Sequence, residues 1–139
     1  MRKIQNYING SIVDPYSKKY STVFDPSKGE EIAEVILSNQ DDLKLALNSA
    51  KKSFNSWSNT TPLKRSRILA KYKTLLEENI EELAKVVSLE HGKTIEDAKG
   101  SITRGIEVVE FACGIPHLLK GEFSQNVGSN IDSWSIRQP

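Results

Sequence analysis

The chain contains a single cysteine, Cys113, which is its only candidate for a thiol nucleophile. A thiolate can attack a carbonyl carbon, but it needs a neighbouring base or cation that favours the ionised form. Neither His91 nor His117 is placed next to Cys113 in the sequence in a way that indicates activation of its thiol. Cys113 instead falls in an apolar stripe of helical spacing, where a cysteine is most often a small buried hydrophobe. We therefore predict that Cys113 is structural.

Metal and phosphate sites have no recognisable pattern in the sequence. A lone cysteine excludes a disulfide within the chain, and two well-separated histidines do not form a zinc motif. No G-x-G-x-x-G string is present, and none of the eight glycines makes a phosphate-cradling loop. We therefore predict no catalytic, cofactor-binding or metal-binding residue in this chain.

Arg104 is the best candidate for a binding residue. Helical spacing places it on the same side as Val108 and Phe111, and not on the solvent-facing side of its helix. A guanidinium can fork onto both oxygens of a carboxylate and stays charged when buried. The alternative is an ordinary ion pair with Asp97, Glu107 or another surface carboxylate, and the residues alone favour that alternative.

The bulk composition bounds the class of protein. The 139 residues suffice for one domain with a core, and 37% are hydrophobic and 27% charged. A net charge of +1 gives no indication of nucleic acid or an anionic membrane as partner. The start lacks the apolar segment of a secretory signal, and no stretch approaches the ~20 apolar residues of a membrane span. We expect a soluble, cytoplasmic protein.

Two β-hairpins are predicted before residue 38. Tyr7-Ile8 and Ser11–Val13 flank Asn9-Gly10, a turn pair that tolerates positive φ. Tyr20–Phe24 and Ile32–Leu37 flank a second turn that contains Pro and Gly.

Four helices are predicted next, each with a capping residue at its start: Ser38 with Asp41, Thr61 with Pro62, Asn79 with Glu82, and Thr94 with Asp97. Gly92 is predicted to end the third helix, and the fourth should run to about Cys113. The first two helices carry apolar stripes that we expect to face a core: Leu43, Ala46, Leu47, Ala50, Phe54 and Trp57 in the first, and Ile68, Tyr72, Leu75 and Leu76 in the second.

The fourth helix has apolar residues on two sides. One stripe contains Ile102, Ile106 and Val109, and the opposite side contains Val108 and Phe111. We expect its C-terminal half to be covered on both sides, the second by another domain, another chain or a ligand. After it, Ser124–Gly128 and Ile131–Arg137 are predicted to be extended, with Asp132, Trp134 and Ile136 on one face.

Several short strings resemble the opening of aldehyde dehydrogenases, and their order and spacing are specific to that family. They are Tyr7-Ile8-Asn9-Gly10, Asp25-Pro26 with Gly29-Glu30, Phe54-x-x-Trp57 followed by Pro62, Arg65, Arg67 and Ile68-Leu69, and Glu90-x-Gly92-Lys93. Longer runs resemble the methylmalonate-semialdehyde dehydrogenase branch: Leu89–Thr94, Arg104–Glu122 and Ser135–Pro139. The resemblance extends from about Tyr7 to Pro139.

This resemblance implies an α/β fold in which short β-hairpins and about four helices precede an extended β arm. Residues 1–122 would form the N-terminal part of an incomplete Rossmann-type coenzyme-binding domain, and residues 123–139 would begin the oligomerisation arm. Trp134 and Ile136 are then candidate anchors for a homodimer or homotetramer.

The resemblance also implies a reaction. A cysteine thiol adds to an aldehyde, hydride passes to NAD, and the resulting thioester passes to coenzyme A with loss of carbon dioxide. The family's oxyanion asparagine, NAD-binding glycines and nucleophilic cysteine lie beyond the last residue of this sequence, so we expect the chain alone to be inactive. Arg104 matches an arginine that binds the substrate's carboxylate, and the resemblance shifts our preference to binding of a small carboxylated aldehyde.

Two other interpretations stay open. Another semialdehyde dehydrogenase, such as a succinate-semialdehyde type acting with water, would share the fold, although the run from Arg104 to Gly121 argues against it. A self-contained helical binding module without catalysis would be monomeric and would unfold cooperatively. Its last strand would need a protected edge, which the sequence does not provide.

Overall fold

The structure is a computed structural model, and it describes residues 1–138. Residues 1–138 form seven strands and five helices. In chain order they are β1 (Arg2–Ile4), β2 (Asn6–Ile8), β3 (Ser11–Val13), β4 (Tyr20–Phe24), β5 (Glu31–Ile36), α1 (Gln40–Ser58), α2 (Pro62–Glu78), α3 (Ile80–His91), α4 (Ile95–Cys113), α5 (Ile115–Leu118), β6 (Phe123–Gly128) and β7 (Ile131–Trp134). The mixed α/β fold expected from the sequence is confirmed.

The chain divides into two compact units. The first contains Met1–Thr60 and Glu81–Gly100, and the second contains Thr61–Ile80 and Ser101–Pro139. Helix α4 therefore contributes its first residues to one unit and its C-terminal half to the other. The boundary at residues 122 and 123 that the resemblance implies stays a prediction.

Both hairpins predicted for the first unit are confirmed. Strands β2 and β3 pair antiparallel around Asn9 and Gly10, which have φ values of 54° and 80°. Both values lie in the left-handed region that a tight two-residue hairpin turn requires. Strands β4 and β5 also pair antiparallel. The sequence analysis missed β1, which pairs parallel with β5 and completes a sheet of order β1-β5-β4.

The turn between β4 and β5 packs against the end of α3. Gly92 has a φ of 80°, and a Cβ atom there would lie 3.1 Å from Cγ of Pro26. Its N–H donates to the carbonyl oxygen of Ser88 at 2.8 Å. Gly92 therefore ends α3 as predicted, and it does so where a side chain would crowd the turn.

The cap of α1 lies one residue later than predicted. Asn39, not Ser38, is the N-cap, and its side chain accepts hydrogen bonds from the N–H groups of Asp41 and Asp42. Asp42 completes the capping box by accepting from the N–H of Asn39 at 2.9 Å. The Ser38 hydroxyl is instead hydrogen-bonded to the Asn6 side chain, which donates to it at 2.9 Å.

The apolar stripes of α1 and α2 are largely exposed, so residues 1–138 do not provide the core that these stripes were predicted to face. In the first unit, Leu43 and Phe54 of α1 are 57% and 51% exposed. In the second unit, Ile68, Tyr72 and Leu75 of α2 are about half exposed. Few hydrophobic residues of the described part are buried, and most of them are small: Ala33, Ile36, Ala84, Ala98 and Ile106.

Helix α2 begins as predicted, and Asn79 lies at its C-terminal end. Thr61 is its N-cap, with Pro62 at the first helical position. Asn79, predicted to start α3, is the C-cap of α2, and its side-chain amide donates to the carbonyl oxygen of Leu75 at 2.7 Å. The predicted cap of α4 is confirmed, because the Thr94 hydroxyl accepts from the N–H of Asp97 at 3.2 Å.

The last residues form a short helix and a third hairpin. The sequence analysis did not predict α5, but the two extended segments that it predicted are confirmed as β6 and β7, and the structure adds that they pair antiparallel. Strand β7 ends at Trp134, earlier than the predicted Arg137. One more backbone hydrogen bond joins the two segments beyond Trp134, where the N–H of Ser135 donates to the carbonyl oxygen of Glu122 at 2.9 Å. A Cβ at Gly121 would overlap the carbonyl oxygen of Ser135, so only glycine fits there. Pro139 lies outside the described residues.

No helix among residues 1–138 combines the length and the apolar character needed to cross a membrane.

Candidate functional site

Arg104 lies at the middle of α4 and is exposed to solvent. Its Nη2 donates a hydrogen bond to the hydroxyl of Ser101, one helical turn earlier, at 3.2 Å. Residues three apart on a helix are neighbours, which makes this contact possible. The sequence analysis gave a role to Arg104 and none to Ser101, although the spacing of three residues was a signal that could have indicated the contact.

The charge of Arg104 is not neutralised by a carboxylate among residues 1–138, because none of their ion pairs includes it. The alternative of an ion pair with Asp97 or Glu107 is therefore not what the structure shows. Asp97 instead accepts from Lys93 at 2.8 Å. An arginine is cationic at every ordinary pH, so a full positive charge remains at Arg104.

Other cations of the chain have acidic partners. Nζ of Lys73 lies 3.2 Å from Glu110 and 3.4 Å from Glu77. The hydrogen bond to Glu110 is the main cause of a raised pKa at Lys73, because it favours the charged ammonium. Lys99 is similar, and Glu81, 2.7 Å away, is the main cause of its raised pKa. These lysines join neighbouring helices, whereas Arg104 does not.

Val108 and Phe111 extend the exposed side of α4 from Arg104. They are 68% and 69% exposed, while Ile106 on the other side is 7% exposed. Residues 1–138 therefore cover the helix on one side, and the prediction that another domain, another chain or a ligand covers the second side stays a prediction. The result is an open strip in which a cation is followed by two apolar side chains at spacings of four and three residues.

Cys113 is half-buried and has a free thiol. Its carbonyl oxygen accepts a hydrogen bond from the Ser66 hydroxyl at 2.6 Å, which links the ends of α4 and α2 within the second unit. The side chain is thus less buried than the small buried hydrophobe that the sequence predicted, and its structural role stays a prediction. Both His91 and His117 are exposed. No group of three His, Cys, Asp or Glu residues within positions 1–138 could hold a metal ion.

Comparison with known proteins identifies close relatives over the whole chain. The sequence model of the aldehyde dehydrogenase family matches residues 12–139. A malonate-semialdehyde dehydrogenase of Pseudomonas aeruginosa is 47% identical over 139 residues, which is 100% of this chain and 28% of the relative. Malonate-semialdehyde dehydrogenase 2 of Bacillus cereus is 44% identical over 136 residues, covering 98% of this chain and 28% of the relative.

Solved structures agree with these relatives. The methylmalonate-semialdehyde dehydrogenase of Oceanimonas doudoroffii superposes with a TM-score of 0.94 at 44% identity, covering 100% of this chain and 28% of that one. A protein from Sinorhizobium meliloti 1021 assigned to the same group, solved in complex with NAD, gives a TM-score of 0.96 at 46% identity with the same coverage. The chain thus spans 28% of the length of the relatives that it matches. It belongs to the aldehyde dehydrogenase family.

Proposed function

We propose that this chain is the N-terminal portion of an NAD-dependent, CoA-acylating methylmalonate- or malonate-semialdehyde dehydrogenase. The observation that carries the proposal is the match of the entire chain to such enzymes at 44–47% identity. The complete enzyme would oxidise the aldehyde and release the substrate's carboxylate as carbon dioxide, leaving an acyl-CoA. A cytoplasmic location is part of this proposal.

The cofactors belong to the complete enzyme. The chain contains no glycine-rich phosphate loop, so we assign no contact with NAD or coenzyme A to any of its residues. When bound, NAD supplies the acceptor for the hydride and coenzyme A supplies the thiol that takes up the acyl group. The role that we assign to this chain is to bind substrate and to support the domain that carries the cofactor.

Arg104 is the residue that we propose for substrate binding. It presents an exposed guanidinium whose charge no described carboxylate neutralises. A semialdehyde of this class carries a carboxylate, and a guanidinium can donate two parallel hydrogen bonds to it. Such a contact would hold the far end of the substrate and leave its aldehyde free to react elsewhere in the enzyme.

Self-association through the β6–β7 arm is also part of the proposal. Trp134 is 69% exposed, and Ile136 and Phe123 are exposed beside it. Phe123 and Trp134 are direct cross-strand partners, so they form one continuous apolar patch. Tryptophan is the residue type most often found as an anchor at interfaces. We propose that this patch joins copies of the complete enzyme into a homodimer or homotetramer.

A chimera tests the function. Residues 1–139 would replace the matching segment of the Pseudomonas aeruginosa enzyme, and NADH formation would be measured with malonate semialdehyde and with an uncharged aldehyde such as propanal. We expect NAD- and CoA-dependent activity. Arg104→Ala should raise KM for malonate semialdehyde about 10- to 100-fold, since a hydrogen-bonded charge contributes roughly 1.5–3 kcal/mol. KM for propanal should change little.

The matched control is Arg67→Ala, which removes an exposed arginine from α2. It should leave both KM values unchanged. Equal losses with the two aldehydes in Arg104→Ala would contradict the assignment of Arg104 to the carboxylate. A well-folded chimera without dehydrogenase activity would contradict the proposed function itself.

A further inference from the structure

We propose that Ser101 is a positioning residue that orients the Arg104 guanidinium for the substrate's carboxylate. The inference rests on the proposed function of Arg104 in substrate binding. It also rests on the hydrogen bond from Nη2 of Arg104 to the Ser101 hydroxyl, at 3.2 Å. Ser101 would act through Arg104 and would not itself contact the substrate.

The geometry supports an orienting role. Arg104 is exposed, so its long side chain would sample many rotamers without a tether. Ser101 is half-buried on the same helix, so its hydroxyl has a more restricted position. One of five guanidinium N–H donors is used by this contact, and four remain for a carboxylate. The tether therefore reduces the ordering that substrate binding would otherwise require.

The chemistry of the partner matters as much as its position. A hydroxyl is neutral, so it can accept a hydrogen bond from the guanidinium without cancelling its charge. Lys73 and Lys99, in contrast, each lie against two glutamates. A carboxylate partner of that kind would compete with an anionic substrate for the same donors. Ser101 holds the guanidinium while leaving its charge for the substrate.

The test uses Ser101→Ala and Ser101→Thr in the chimera. Ser101→Ala should raise KM for malonate semialdehyde about three- to tenfold, as expected for the loss of one neutral hydrogen-bond acceptor. Kinetics with propanal should not change, and neither should kcat with malonate semialdehyde. Ser101→Thr retains the hydroxyl, so KM should return to within about twofold of the unmodified chimera.

A double variant separates positioning from packing. In an Arg104→Ala background, Ser101→Ala should have no further effect on KM, because the residue through which it acts is gone. A further rise in that background, or an equal loss with propanal, would overturn the proposal. Ser101→Cys, nearly isosteric but a weak acceptor, replaces Ser101→Ala if the latter fails to fold.

The two proposals fail in different ways. If Arg104→Ala has no selective effect on the carboxylated substrate, the function assigned to Arg104 is wrong. If Arg104→Ala raises that KM selectively but Ser101→Ala and Ser101→Cys do not, only the positioning role of Ser101 is wrong.

Discussion

Asp42 accepts hydrogen bonds from three backbone N–H groups of the first unit through one carboxylate. It is 2% exposed and accepts hydrogen bonds from the N–H groups of Tyr16 at 2.7 Å, Ser17 at 3.2 Å and Asn39 at 2.9 Å. Asp42→Asn replaces two acceptor oxygens with one, so buried N–H groups lose their partner. Hydrogen exchange measured on peptides covering residues 14–18 should become faster. The matched control is Asp41→Asn, at the exposed neighbouring residue, and it should leave the exchange rate of those peptides unchanged.

The same contacts predict a pH dependence. The pKa of Asp42 is lowered mainly by the hydrogen bond from the N–H of Asn39. Burial of the carboxylate acts in the opposite direction and raises the pKa, whereas the N–H groups of Tyr16 and Ser17 lower it further. The folded-state pKa thus lies below the unfolded value of about 4. The stabilising contribution is complete above that value and is lost as pH falls through the lower folded pKa. The difference in hydrogen-exchange rate between the unmodified protein and Asp42→Asn should therefore be constant near neutral pH and disappear in acid. If that difference persists unchanged in acid, the prediction is contradicted.

Residue-scale features were predictable where one local interaction decides them. Gly92 and Thr61 are examples, because a left-handed turn and a proline-marked helix start leave few alternatives. The cap of α1 was not predictable in this way. Ser38 and Asn39 are both good capping residues, and acidic residues follow both at suitable spacing. Tertiary contacts decide between them, since Asn6 binds Ser38 and the 14–18 segment binds Asp42.

At the scale of elements, the β6–β7 arm provides the sharpest prediction. Trp134→Ser in the chimera should shift the sedimentation distribution toward smaller species, because it removes a large exposed apolar side chain from the proposed interface. Ile12→Ser is the matched control, since Ile12 is 70% exposed on a different hairpin. If both variants sediment alike, the arm is not the interface.

Helix α4 shows what periodicity can and cannot predict. The pattern correctly indicated two apolar sides, and Ile106 is buried on one of them. It could not indicate what covers Val108 and Phe111, because a hydrophobic stripe is the same whether its partner lies in this chain, another chain or a ligand. The periodicity of the sequence could not predict the role of Arg104 either. Its exposure became evident only in the structure, and its proposed ligand comes from the relatives.

At the scale of the whole molecule, the described residues bury few large side chains. No large side chain in the described part of the chain is fully buried, and α1 alone exposes Leu43, Leu47 and Phe54 by half or more. Monomeric soluble proteins rarely expose apolar side chains as contiguous stripes unless those stripes bind something. The chain spans 28% of its relatives' length, and we propose that the remaining length of such an enzyme covers these stripes.

The final prediction follows from that exposure. The isolated 139-residue chain should bind a hydrophobic dye such as 8-anilinonaphthalene sulfonate, and the chimera should bind much less, because its additional residues cover α1. Replacing Leu47 and Phe54 with Ser should lower dye binding by the isolated chain while circular dichroism shows its helices retained. The control pair, Ser49→Ala and Asn55→Ala, changes polar residues of the same helix and should not lower it. An isolated chain that stays monomeric, excludes the dye and unfolds in one cooperative transition would contradict the prediction. That outcome would favour the self-contained binding module, because such a chain would stabilise its own fold without a partner.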